Sequence, residues 1–298
     1  GCYPNLISMK KLILLLVMMM AFQGYAQDTI GLRRSRKYIP KTAYLAQFKS
    51  IPDTVDVRYI NGDSMVQVPM DYDPFRDKKK VRYEPKDSAF LDTYKAVVYD
   101  TENKVDSSRF MRYWKDELRI YFDESVPEDD ARFLMNFAEK LSSEVDSLKI
   151  SRNFIREKSN YIVYYLNEDH KTEHEPRIGN KSGYYVSWNG KSQIYKASLK
   201  VNTAVVTNNL LKENLLKYHF FKSLGYFASS KDLNCESILS VCNSYRRLSD
   251  EDLELLKYHY SYGVCKGQSL KSFTELTNSM QEKLKEDPNA QLFVIHAE

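Results

Sequence analysis

Polar and apolar positions alternate twice within VDVRYINGDSMVQVPM (55–70), once on each side of Asn61-Gly62. Both residues of that pair accept positive φ, so the pattern predicts a β-hairpin. A second short apolar run, YKAVVYD (94–100), reads as a strand. Periodicity tightens from Arg109. ELRIYFD (117–123) predicts a strand, and Ser125-x-x-Glu128, with Pro127 in the first turn, predicts a capping box opening a helix. Phe133, Leu134, Phe137, Ala138, Leu141, Val145 and Leu148 then recur at helical spacing. Strands follow at 160–166, 183–188 and 193–201, the last two separated by Asn189-Gly190. A second helix spans 208–224 and stops at Gly225, where a helix end favours positive φ. Ser249-x-x-Asp252 caps a third helix reaching Tyr260, and 269–286 forms a fourth, ended by Pro288.

These elements divide the chain into three stretches. Residues 27–108, with prolines at 40, 52, 69, 74 and 85, read as an extended, hairpin-bearing region. Residues 109–298 read as an α+β domain: a small mixed sheet packed on two helices, with a helical C-terminal part. Residues 1–26 read as a signal peptide. Met9-Lys10-Lys11 precedes the apolar run 12–22, and QGYAQ supplies a small-x-small cleavage site after Ala26, leaving Gln27 first in the mature chain. Residues before Met9 read as lying upstream of the true start. A span needs roughly 20 apolar residues, more than this run has, and no cysteine stands at the cleavage point to carry a lipid. A secreted or periplasmic protein of a bacterial envelope is expected, with no membrane span after cleavage.

Charge narrows the partners. Removing residues 1–26 takes Lys10 and Lys11 from 44 basic residues and nothing from 40 acidic ones. So even a balance carries no nucleic-acid footprint. Cys2 leaves with the signal. Cys235, Cys242 and Cys265 then remain in an oxidising compartment, where one disulfide and one leftover thiol are the expectation, the pairing being open.

The order strand, helix, strand, edge strand, strand, then LLKYHFFKSLG (215–225) closing in Leu224-Gly225, leads into Ser237-Ile238-Leu239 and the LSDEDLELL helix (248–256). Over 109–285 this resembles the zincin superfamily of metallopeptidases, closest in kind to its metzincin-type branch and to a related family of bacterial secreted domains of unknown function. There the helix carries H-E-x-x-H-x-x-G, whose two histidines grip one zinc ion while the glutamate polarises the attacking water. Aligned on Leu224-Gly225, the first ligand position holds Tyr218, the base position His219, the second ligand position Lys222 and the third Ala228. The resemblance therefore implies a zincin-like domain without the zinc motif: a pseudopeptidase with no metal, cofactor or catalytic residue. Its expected partner is a protein, peptide or glycan outside the cytoplasm, or it serves as a structural envelope component. An alternative is an active metallohydrolase with a relocated site using His219 and His259.

Other candidates are weighed the same way. His170 and His174 have H-x3-H spacing, but Asn167, Glu168, Asp169, Glu173, Glu175 and Pro176 make their surroundings a charged, solvated loop. Asp129, Asp130, Asp250 and Asp252 stand at helix N-termini, where they complement the dipole. Of 23 tyrosines and 2 tryptophans, Tyr184, Tyr185, Trp188 and Tyr195 cluster about the edge strand and are the candidate binding surface.

Overall fold

The computed structural model describes residues 2–4, 36–60, 62–73, 78–103, 109–242 and 246–297. The expected signal run and cleavage point lie outside them. Among the described residues no helix is long and apolar enough to cross a membrane. In chain order the elements are strand β1 (Cys2–Pro4), β2 (Lys37–Pro40), helix α1 (Lys41–Phe48), β3 (Val57–Ile60), β4 (Asp63–Val68), β5 (Lys78–Arg82), α2 (Ser88–Tyr99), β6 (Tyr113–Trp114), β7 (Leu118–Phe122), α3 (Glu128–Glu144), β8 (Ile150–Arg152), β9 (Tyr161–Leu166), β10 (Gly183–Trp188), β11 (Gln193–Asn202), α4 (Asn209–Ser223), α5 (Asp250–Tyr260), α6 (Leu270–Glu286) and β12 (Phe293–Ala297). The chain forms two compact units, Asn5–Lys80 with the last two residues, and Gly1–Pro4 with Val81–His296.

In the smaller unit the expected hairpin is present: β3 and β4 pair antiparallel from Ile60↔Asp63 outward, and Gly62 takes φ +90°. Strand β2, which the alternation pattern does not reveal, adds on β4. Tyr44 of α1 packs with Val66 and Val68 over this sheet.

The main stretch of the larger unit, Val81–His296, includes α2 ahead of residue 109. The run 94–100 is the end of a helix. Asp87 caps it by accepting from the Phe90 N–H, and Leu91, Tyr94, Ala96, Val97, Val98 and Tyr99 are buried. Packing overrides the β-propensity of the paired valines. Strands run in the order β10-β11-β9-β7-β8, with β6 also on β11. Only β10 is antiparallel to its neighbour; the other pairs are parallel. The architecture is mixed α+β.

Helix α3 packs on β8 and on α4, and α4 packs on β10 and β11. Leu134, Ala138 and Leu141 are fully buried beneath α3, each large side chain worth about 1.5–3 kcal/mol of transfer free energy. The expected capping box does not form. Pro127 is the N-cap, and the Ser125 hydroxyl donates to Asp123 and accepts from the Tyr165 N–H, while Glu128 forms a bidentate pair with Arg152 at 2.7 Å. Buried Asp130 accepts from the Tyr165 hydroxyl at 2.8 Å and pairs with Lys212 at 2.8 Å, so it joins α3 to β9 and α4 in addition to facing a helix dipole. A separate three-stranded sheet has the order β1-β12-β5. Cys235 and Cys242 are disulfide-bonded, and so is Cys265, so the expected leftover thiol is not found among the described residues.

Candidate functional site

Helix α4 is anchored at both ends before it presents anything to solvent. The Asn208 side chain accepts from the Leu211 N–H, and Leu216, Phe220 and Phe221 are buried. At its far end Trp114 donates to the Ser223 carbonyl and Tyr260 donates to the Leu224 carbonyl. Gly225 does not take the expected positive φ. Tyr226 does, at 56°, and Gly225 is required for a different reason: a Cβ there would collide with the Phe227 ring. The chain then turns across α2, where the Ala228 N–H donates to Val97 at 2.8 Å.

This turn brings Ser229 against the helix face that carries Tyr218 and Lys222, one turn apart. The Lys222 ammonium donates to the Tyr218 hydroxyl at 3.2 Å and to Ser229 Oγ at 3.3 Å, and the two hydroxyls lie 3.5 Å apart. Arg246 lies over the Tyr218 ring, 4.2 Å from its centre. It is set there by its backbone N–H on Asn214 and its guanidinium on the Cys242 carbonyl, beside the disulfide. Burial raises the Tyr218 phenol, but Lys222, Ser229 and Arg246 together outweigh it and hold the phenol below its ordinary value.

His219 points elsewhere. Its ring lies against Tyr218 and Tyr184, its Nδ1 is buried without a partner, and burial, aided by Lys222 and Arg246, lowers it to about 3. Residue 219 therefore carries a neutral imidazole at neutral pH. His259 is fully buried, with Nε2 donating to the Arg112 carbonyl at 2.8 Å and Nδ1 accepting from Tyr94 at 3.1 Å. Both nitrogens are spent, which leaves no lone pair for the relocated metal site. The side chains at 218, 222 and 228 do not fit zinc either: a phenol already held by an ammonium, and the methyl group of Ala228. Among the described residues no group of three His, Cys, Asp or Glu could hold a metal ion.

Beside Lys222 opens a cavity of about 450 Å³, lined by Arg109, Arg112, Tyr184, Tyr226 and Ser229 among others. Arg109 pairs with Asp100 at 3.1 Å. Arg112 stacks on Trp188 at 4.5 Å and sends hydrogen bonds from Nη1 to Phe110 and Ser192, while its Nε is buried without an acceptor. Of the four expected binding aromatics, the fold brings two together. Tyr184 and Trp188 lie 6.4 and 5.3 Å from Tyr226, ring centre to ring centre. Tyr185 projects from the opposite face of β10 and holds Arg177, and Tyr195 is exposed on β11.

No protein-family model matches the chain, and no curated protein matches it in sequence. Its chemistry is therefore read from this geometry. The cavity can hold negative charge against Lys222 and Arg112 and offers aromatic faces beside it. Elsewhere in the same unit, the buried carboxylate of Asp252 accepts from the N–H groups of Ile238 and Leu239 and from Ser249, fixing the Ser237-Ile238-Leu239 turn to α5.

Arg109, Arg112, Tyr226, Ser229 and Arg246 carried no signal in the sequence, since they stand in loops and at an element end without periodicity. His174 is a second departure. Its side chain is 3% exposed, bonded to Asp123 at 3.0 Å and packed edge-on against Tyr164, rather than solvated. Neighbouring Glu173 takes the Tyr164 hydroxyl and the fully buried Lys200, so this loop seals the carboxyl ends of the parallel strands.

Proposed function

We propose that this protein is an exported, zincin-like binding domain that has lost the metal and holds an extended peptide along the outer edge of β10, beside the cavity. The closed set of Tyr218, Lys222 and Ser229 at the aligned ligand positions carries this reading. An antiparallel edge strand next to the helix that bears those positions supports the zincin likeness, and such an edge supplies main-chain hydrogen bonds to a peptide. Zinc content and peptide hydrolysis of the purified protein test it. Neither is expected, and stoichiometric zinc whose chelation abolishes hydrolysis would overturn the proposal.

The register has its own test. Tyr218→His, His219→Glu and Lys222→His together rebuild the two helix ligands and the base, and calorimetric titration should then detect zinc binding that the parent lacks. A folded triple variant with no gain in zinc affinity would refute the alignment. Export predicts a mature N-terminus at Gln27 outside the inner membrane. Cleavage there would release Cys2–Pro4 from its pairing with Val294–His296 in β12, so mass spectrometry that finds residues 1–4 retained would count against export.

A further inference from the structure

The cavity beside Lys222 has a charge pattern that peptide binding as such does not require. Its lining contains three basic residues, Arg109, Arg112 and Lys222, and a single acid, Asp100. That acid is taken by Arg109. Lys222 makes its hydrogen bonds to two hydroxyls, and Arg112 to a carbonyl and a hydroxyl, so among the described residues neither cation meets a carboxylate. Cations drawn partly out of water without a counter-charge are unfavourable, and charge-assisted hydrogen bonds to an anion relieve that. Burial accordingly pushes Arg112 below the usual guanidinium value.

Two further observations select the kind of anion. The volume, about 450 Å³, lies toward the small end of ligand pockets, suited to a chain end and its last side chain. Tyr184 belongs both to the edge strand β10 and to the cavity lining, and with Tyr226 and Trp188 it offers apolar ring faces next to the cations. A peptide laid along β10 thus has its terminus within reach of Lys222.

From this we infer that the cavity is a carboxylate-binding site that receives the free C-terminal carboxyl group of a peptide, with Lys222 and Arg112 as its counter-charges and the Tyr184 and Tyr226 rings flanking the last side chain. The inference rests on the peptide-binding reading above and specifies the ligand's end group.

The test uses two fluorescein-labelled degenerate hexapeptide mixtures, identical except that one has free carboxyl termini and the other is amidated, titrated with the full chain and read by polarisation. The free acids should bind about tenfold more tightly, the size of one charge-assisted contact. Lys222→Met should weaken the acid mixture more than the amides and so narrow the about tenfold preference. Arg112→Gln gives an independent second variant with the same expectation, and thermal melts confirm that each is folded. Equal binding of acids and amides overturns the carboxylate site and leaves the peptide reading standing. Binding of neither mixture overturns both. Displacement of the acid mixture by inorganic phosphate but not by acetate identifies a phosphate site instead and overturns the carboxyl assignment.

Discussion

Mild acid should destabilise this protein before its carboxylates titrate, through two imidazoles that folding keeps neutral. Burial lowers His219 and His259 from 6.5 to about 3, with Lys222 and Arg246 adding to the effect on the first and Lys266 on the second. In the unfolded chain both titrate near 6.5. Between pH 6.5 and about 3 the unfolded state therefore binds protons that the folded state refuses. Their contribution is fully present above 6.5 and is lost as the pH falls toward 3. From about pH 7 to about pH 5.5 each imidazole withdraws about 1.3 kcal/mol, roughly 2.5 kcal/mol for the pair. Urea midpoints measured across that interval give the slope. In His259→Gln the amide can still serve Tyr94 and the Arg112 carbonyl, and the drop attributable to the pair should shrink to about 1.3 kcal/mol by the same linkage arithmetic. The exposed and paired histidines are common to both proteins and cancel in the comparison. An unchanged slope in the variant would show that His259 is protonated in the folded state, and the assignment of its Nδ1 as an acceptor would be wrong.

Asp252→Ala orphans the Ile238 and Leu239 N–H groups in the core. At about 1–3 kcal/mol for each stranded donor, a loss of about 3–5 kcal/mol is expected from urea unfolding, and a loss below about 1 kcal/mol would refute the role given to this carboxylate. Gly225→Ala drives a methyl group into the Phe227 ring and should lower stability by about 1–3 kcal/mol; thermal melting that matches the parent would mean the turn at Tyr226 yields freely. Glu173→Gln leaves the fully buried Lys200 ammonium without its anion and should cost about 3 kcal/mol. Because Lys200→Met combined with Glu173→Gln removes the charge as well, the double variant should recover much of that loss, and failure to recover would contradict the pairing.

Local signals and spatial ones divide cleanly along this chain. Hairpin β3–β4, strands β7 and β9 to β11, and helices α3 to α6 were legible because alternation, helical spacing, Asn-Gly pairs and caps such as Ser249 with Asp252 act within a few residues of one another. Where a residue had a competing partner outside the expected motif, the reading failed. Ser125 and Glu128 have capping-box spacing, yet Asp123, Tyr165 and Arg152 claim them. The 94–100 run has valines suited to a strand, yet Asp87 and the buried stripe from Leu91 make it helix.

By itself, the sequence determined that α4 would be a helix ending near Gly225 and that Tyr218 and Lys222 would share one face a turn apart, since these follow from composition and the 3.6-residue period. Tertiary structure alone decided what those residues meet. Ser229 reaches Lys222 because the turn at Tyr226 folds the chain back, Arg246 reaches Tyr218 from beside a disulfide loop, and Arg112 arrives from the strand of residues leading to β6. Segments so far apart in the chain share no periodicity, and their charges become a site only when packing of the strands and helices fixes the distances between them.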